Sequence, residues 1–181
     1  MELLEQGNYY HIFNRGINSE NIFRNEENRL YFLKLYAKHI SPAATTLAYC
    51  LLSNHFHFVI RVDRENKEAT QAFSNFFNAY AKAFNKAHGR TGSLFEKNFR
   101  RIKINKENYL KKLILYGHFN PQIHFGVKYS TYRFSSFQKI LNADNTIVSI
   151  NMVMDIFDNL ENFKFLHENQ DLKLEEKFKL E

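Results

Sequence analysis

The order of secondary-structure signals predicts an α+β fold: a ferredoxin-like antiparallel sheet with helices packed on one face, followed by a helical C-terminal extension. Three observations carry it. Strand and helix patterns follow one another as strand, helix, strand, strand, helix, strand, helix. Two of the strands are separated by Ser53-Asn54 alone, the length of a hairpin turn. From about Ala143 the pattern turns helical and acidic, which divides the chain into a domain of residues 1–142 and an extension of residues 143–181.

The first strand covers residues 9–14, YYHIFN, and Arg15-Gly16 ends it. Asn25 is placed to cap a helix running to about Ile40, with Leu30, Leu33 and Tyr36/Ala37 on its apolar face. Ser41-Pro42 stops that helix. Strands follow at 46–52, TLAYCLL, and 55–62, HFHFVIRV. A helix over about 67–86 ends before Gly89 and repeats Phe73, Phe76, Phe77, Tyr80 and Phe84 at helical spacing, which reads as core. A further strand is expected over 93–104. Asn105 then caps a third long helix to about Phe119, closed by Asn120-Pro121.

Apolar residues make up 44% of the 181, so the chain buries a core. No apolar run approaches the ~20 residues needed to cross a bilayer. The start, MELLEQGNYY, lacks the basic-then-apolar layout of a secretion signal. Cys50 is the one cysteine, which excludes an internal disulfide and fits a reducing cytoplasm. The net charge of +6 is unevenly spread. From Asp155 onward there are 8 acidic and 4 basic side chains, against 11 acidic and 21 basic before it. A basic body suits a polyanionic partner, most simply nucleic acid, although ordinary surface lysines give the same count.

Side chains two apart on a strand share a face, so His55 and His57 project together while Phe56, Phe58 and Ile60 project to the other side. Two neutral imidazoles side by side can hold one cation; equally, they can be two histidines on a solvated face. The third helix carries further candidates. Tyr116 and Asn120 lie one turn apart on one face, with Tyr109 on roughly the same side. Leu110, Leu113, Ile114 and Gly117 form the stripe that seats this helix on the sheet. Tyr116 as an aromatic with its hydroxyl in water, and Asn120 as a helix-ending polar residue, are the alternatives.

The elements NRG at 14–16, NHFHFVI at 54–60, GSLFEKNFR at 92–100 and YGHFNP at 116–121 occur in this order. In them the chain resembles the single-tyrosine HUH transposases, and within these the REP-associated tyrosine transposases, over about residues 8–141. The resemblance implies roles for matching positions: His55 and His57 as metal ligands, Tyr116 as nucleophile, Asn120 as third ligand. Three positions depart from the family's habit. Leu52-Ser53 stands where Met-Pro is usual, Glu96 where glutamine is common, and Gly117 where a bulky apolar residue follows the tyrosine.

The activity so implied is strand cleavage and joining of single-stranded hairpin DNA through a 5′-phosphotyrosine intermediate. Tyrosine, with a pKa of ~10, is a poor nucleophile at neutral pH, so a divalent ion, Mg²⁺ or Mn²⁺, is expected to assist. Nitrogen ligands tilt affinity toward manganese; cellular abundance favours magnesium. DNA-binding candidates are Arg15, Arg61, Lys97, Arg100, Arg101 and Lys103, with Tyr9 or Tyr10 available to stack bases. Competing readings are a catalytically silent nucleic-acid-binding module and a nickase of the HUH replication-initiator or relaxase type. A structural zinc site is poorly served by one cysteine and two histidines. The chain is expected as a monomer or a homodimer.

Overall fold

A computed structural model of the chain describes residues 2–144 and 147–169. Four strands, β1 (Tyr9–Arg15), β2 (Ala44–Leu51), β3 (His55–Val62) and β4 (Arg100–Ile104), form one sheet in the order β2-β3-β1-β4. Every neighbouring pair is antiparallel. This is the ferredoxin-like α+β architecture expected from the element order, with the two crossover helices α1 (Glu26–His39) and α2 (Asn66–His88) together on one face.

That face is aromatic. Phe58 stacks on Tyr36 at 4.2 Å between ring centroids, and Phe56 lies 5.1 Å from Phe32 and 5.7 Å from Phe77. The stripe of α2 is core throughout, from Phe73 to Phe84, and Gly89 ends the helix with φ +60°, a left-handed conformation suited to glycine. Asn25 caps α1, its side chain accepting from the Asn28 N–H. The buried side of α1 keeps Tyr36 of the expected stripe, with Leu33 packed at its edge, and differs in the rest. It is Phe32, Leu35 and Tyr36, while Leu30 is 51% exposed and Ala37 faces solvent. Both stripes have helical spacing; the larger rings win because they fill the space above Phe56 and Phe58.

Two further boundaries differ. The strand expected over 93–104 is ordered as a strand only from Arg100 to Ile104. Upstream, Leu94 and Glu96 bond the end of β1 through Ile17 and Arg15, and then Asn98, at φ 61°, turns the chain out of extended geometry. The third helix, α3 (Glu107–Phe125), starts after Lys106 rather than on an Asn105 cap, and it runs straight through Pro121 to Gly126. A proline inside a helix costs about 3 kcal/mol by removing an N–H and pressing on the carbonyl four residues back. Here that residue is Gly117, where a Cβ would meet nothing within 4 Å beyond its chain neighbours and the backbone of its own helix. Burial of Leu113–Pro121 on all sides outweighs the lost bond.

α3 lies on the sheet face opposite α1 and α2, over β2 and β3. Behind it pack α4 (Phe137–Leu141), α5 (Ile150–Phe157) and α6 (Leu160–Glu168), with Phe137, Phe157 and Phe163 in one continuous core. His118 of α3 ties this layer together: Nδ1 lies 2.8 Å from Nε2 of His167 and Nε2 lies 2.8 Å from Oγ of Ser136. The part of the C-terminal extension beyond Asn169 lies outside the described residues.

Candidate active site

The hidden face of the sheet, under α3, carries the histidines. The antiparallel register sets His57 opposite Phe13 and His55 opposite Arg15. His11, two residues before Phe13, therefore shares the face of His57 and sits diagonally from it. Its Nε2 lies 3.0 Å from Nδ1 of His57. Nδ1 of His55 lies 2.7 Å from Oδ1 of Asn54. An amide oxygen only accepts, so His55 donates from Nδ1 and carries its lone pair on Nε2.

Tyr116 reaches this face from α3, its ring 5.8 Å from that of His57 and edge-on to it. Asn120, one turn on, is fully buried and donates from Nδ2 to the Tyr116 carbonyl at 2.7 Å. Its Oδ1 is buried without a hydrogen-bond partner among the described residues, and so is Nε2 of His57. The four residues His55, His57, Tyr116 and Asn120 thus come together, with none more than 5% exposed. Burial keeps His11 and His57 neutral. It lowers the His11 pKa to about 3 and, with the neighbouring histidines His11, His55 and His124 adding to it, holds His57 well below its usual range.

Three neighbours were not singled out from sequence. His11 is found only through the β1–β3 register. Asn54 was read as turn residue alone. His124, whose ring lies 5.2 Å from that of His55, follows Tyr116 and Asn120 at the next four-residue step of α3. Reading Pro121 as the helix end concealed it.

No protein-family model and no curated protein sequence matches the chain. Among solved structures, a REP-associated tyrosine transposase bound to a REP hairpin superimposes with a TM-score of 0.61 at 18% identity, over 81% of this chain and 87% of that one. This chain has the fold of that transposase.

Within the transposase fold the six candidate DNA-contacting cations separate. Arg15 and Arg100 lie on the histidine face, Arg15 bonded to Glu96 at 2.9 Å and Arg100 with its guanidinium 5.9 Å from the Phe13 ring. Arg61 shares that face at the far end of β3, paired with Asp63 at 2.8 Å. Arg101 and Lys103 project to the other face, Lys103 held by Glu5 at 2.6 Å. Lys97 is exposed in the loop before β4. Tyr10 is fully buried with its hydroxyl donating to the Leu3 carbonyl, which leaves Tyr9 of the two. No helix among the described residues is long and apolar enough to cross a membrane.

Proposed function

We propose that the chain cleaves and rejoins single-stranded DNA at hairpins, with Tyr116 as the nucleophile. The observation that carries this reading is the edge contact between the Tyr116 ring and His57, with Asn120 one turn on along the same helix. The neighbour's hairpin-bound transposase supports the substrate class.

Among the described residues no group of three or more His, Cys, Asp or Glu side chains surrounds a common point. A metal centre here therefore needs an amide. The acceptor set fits one: Nε2 of His57 and Oδ1 of Asn120 are buried without hydrogen-bond partners, and the Asn54 contact leaves the His55 lone pair on Nε2. His55, His57 and Asn120 would hold a divalent ion, which when bound polarises the scissile phosphate and offsets its developing charge. Three neutral ligands leave that charge undiminished. His11 and Asn54 orient the two imidazoles from behind.

The chain's own chemistry is a transesterification. Oη of Tyr116 forms a bond to phosphorus and its proton passes to solvent. The bond from phosphorus to the 3′ oxygen breaks, and that oxygen leaves as a hydroxyl after taking a proton. A second 3′ hydroxyl reverses the exchange and reseals the strand with no other energy source. Glu107–Phe125 is one uninterrupted helix, so the phenol and the amide of Asn120 move as a unit. With Tyr116 only 4% exposed, a DNA strand reaches it by displacing part of what covers it.

The test is a hairpin DNA incubated with Mn²⁺ or Mg²⁺. Wild-type protein gives a shifted band that survives denaturant, and Tyr116→Phe gives none while still binding the DNA. A denaturant-stable adduct formed by Tyr116→Phe would move the nucleophile elsewhere, with Tyr109 the first substitute.

A further inference from the structure

His118 lies between Tyr116 and Asn120 in sequence and on the back of the same helix. At about 100° per residue it projects about 180° away from the midpoint of those two side chains. There it joins a directed chain of hydrogen bonds. Nδ1 of His167, on α6, lies 2.7 Å from the Phe163 carbonyl. A carbonyl only accepts, so His167 donates from Nδ1 and carries its lone pair on Nε2. That lone pair accepts from Nδ1 of His118 at 2.8 Å. Nε2 of His118 then accepts from the Ser136 hydroxyl at 2.8 Å, and Ser136 accepts from the Tyr49 N–H of β2 at 2.9 Å. Burial keeps both rings neutral, so each uses its one donor and its one acceptor. The His167 ring is wedged between aromatic neighbours, 4.2 Å from the Phe163 ring and 4.8 Å from that of Phe137.

The stretch of α3 gripped in this way is the one least able to hold itself. Gly117 follows Tyr116, and Pro121 follows Asn120. Pro121 has no N–H to give the Gly117 carbonyl, and glycine adds backbone freedom at the same turn. A tether from outside the helix supplies stiffness that the helix lacks there. One end of that tether is the edge of the sheet at Tyr49, and the other is α6 of the C-terminal extension.

We infer that His167 is a positioning residue for the Tyr116 nucleophile, acting through His118, a reading that rests on the function proposed above. Rotation of α3 about its axis, or a shift along it, carries the phenol and the Asn120 amide away from His57 together. The tether opposes both movements because it grips the helix from the side opposite those two residues. A misplacement of about 1 Å costs up to about a hundredfold in rate. The C-terminal helices then belong to the framework of the active site. A bond that merely fastened α6 to the domain would affect stability and leave the rate of the folded protein unchanged.

The experiment compares His167→Leu, which removes the acceptor and keeps an apolar side chain, with His167→Gln, whose side-chain oxygen still accepts from His118. Hairpin affinity is measured without divalent ion, and adduct formation is timed with Mn²⁺ at saturating DNA, at a temperature where melts show every variant folded. His167→Leu should bind the hairpin as wild type does and form the adduct about tenfold or more slowly. His167→Gln should recover most of that rate. Ser136→Ala, a smaller change at the other end of the tether, should slow the adduct in the same direction, and it decides the matter if His167→Leu does not fold. Wild-type rates in the folded Leu and Ala variants, or equal losses in His167→Leu and His167→Gln, overturn the inference and leave the functional reading standing. So does a loss of hairpin binding as large as the loss of rate. No adduct from wild-type protein sinks the functional reading itself, and the positioning role with it.

Discussion

The two faces of the one sheet are built for different ends. Under α1 and α2, Phe32, Tyr36, Phe56, Phe58 and Phe76 fill space ring against ring, and the hydroxyl of Tyr36 pairs with that of Thr46 at 2.9 Å. Under α3, the strand positions between those phenylalanines carry histidines. There the buried Nε2 of His57 and Oδ1 of Asn120 lack hydrogen bonds among the described residues. An unmet buried acceptor costs about 1–3 kcal/mol. One face therefore supplies stability, and the other gives some of it up to keep lone pairs available. Phe56, His57 and Phe58 are consecutive, so one strand serves both purposes by alternation.

Exchanging single residues across that strand separates the two roles. His57→Ala should reduce metal-dependent cleavage to background, and Mn²⁺ should raise the melting temperature of wild type but not of this variant. Equal Mn²⁺ stabilisation of both would remove the ion from this face. Phe58→Ala, one residue on, should cost about 3–5 kcal/mol in denaturant unfolding, as expected for a buried aromatic. A loss no larger than that of His57→Ala would erase the contrast.

Acid should act through the histidine side. His11 and His167 are neutral in the fold because burial lowers their pKa values to about 3 and about 4. Unfolded, each takes up a proton near pH 6.5. The unfolded state then binds more protons, so stability falls as pH drops below about 6.5 toward those folded values, at up to about 1.4 kcal/mol per unit per group. Melting at pH 7 and pH 5 measures this. His11→Phe should flatten the slope, and an unchanged slope would assign the acid sensitivity elsewhere.

The smallest effect is expected at Gly117. Its Cβ position is open, so Gly117→Ala should stabilise the protein by up to about 1 kcal/mol through helix propensity. If the tyrosine helix must shift to admit DNA, the same change should slow cleavage. A stabilised variant cutting at the wild-type rate would free the mechanism from that motion.

Much of the site was legible because its signals are local. The His55/His57 alternation and the four-residue step from Tyr116 to Asn120 are properties of a single strand and a single helix. What stayed hidden depends on contacts between elements. His11 meets His57 through a strand register that no short stretch encodes. Tyr36 was legible on the apolar face of α1, but the choice of Phe32 and Leu35 over Leu30 and Ala37 beside it is made by the rings of β3 below. Pro121 is a sound stop signal in isolation, and burial of α3 between the sheet and the C-terminal helices overrides it, which is why His124 was missed. Arg101 and Lys103 belonged to one basic run with Arg100 in sequence, but alternation sends them to the opposite face.

The most direct test of the account is to identify the residue that becomes joined to DNA. Wild-type protein and a hairpin substrate, incubated with Mn²⁺, denatured and digested with nuclease and protease, should yield one nucleotide-bearing peptide, modified at Tyr116 through a 5′ phosphate. A modification at Tyr109 or any other side chain, or cleavage that leaves no protein-linked nucleotide, would contradict it.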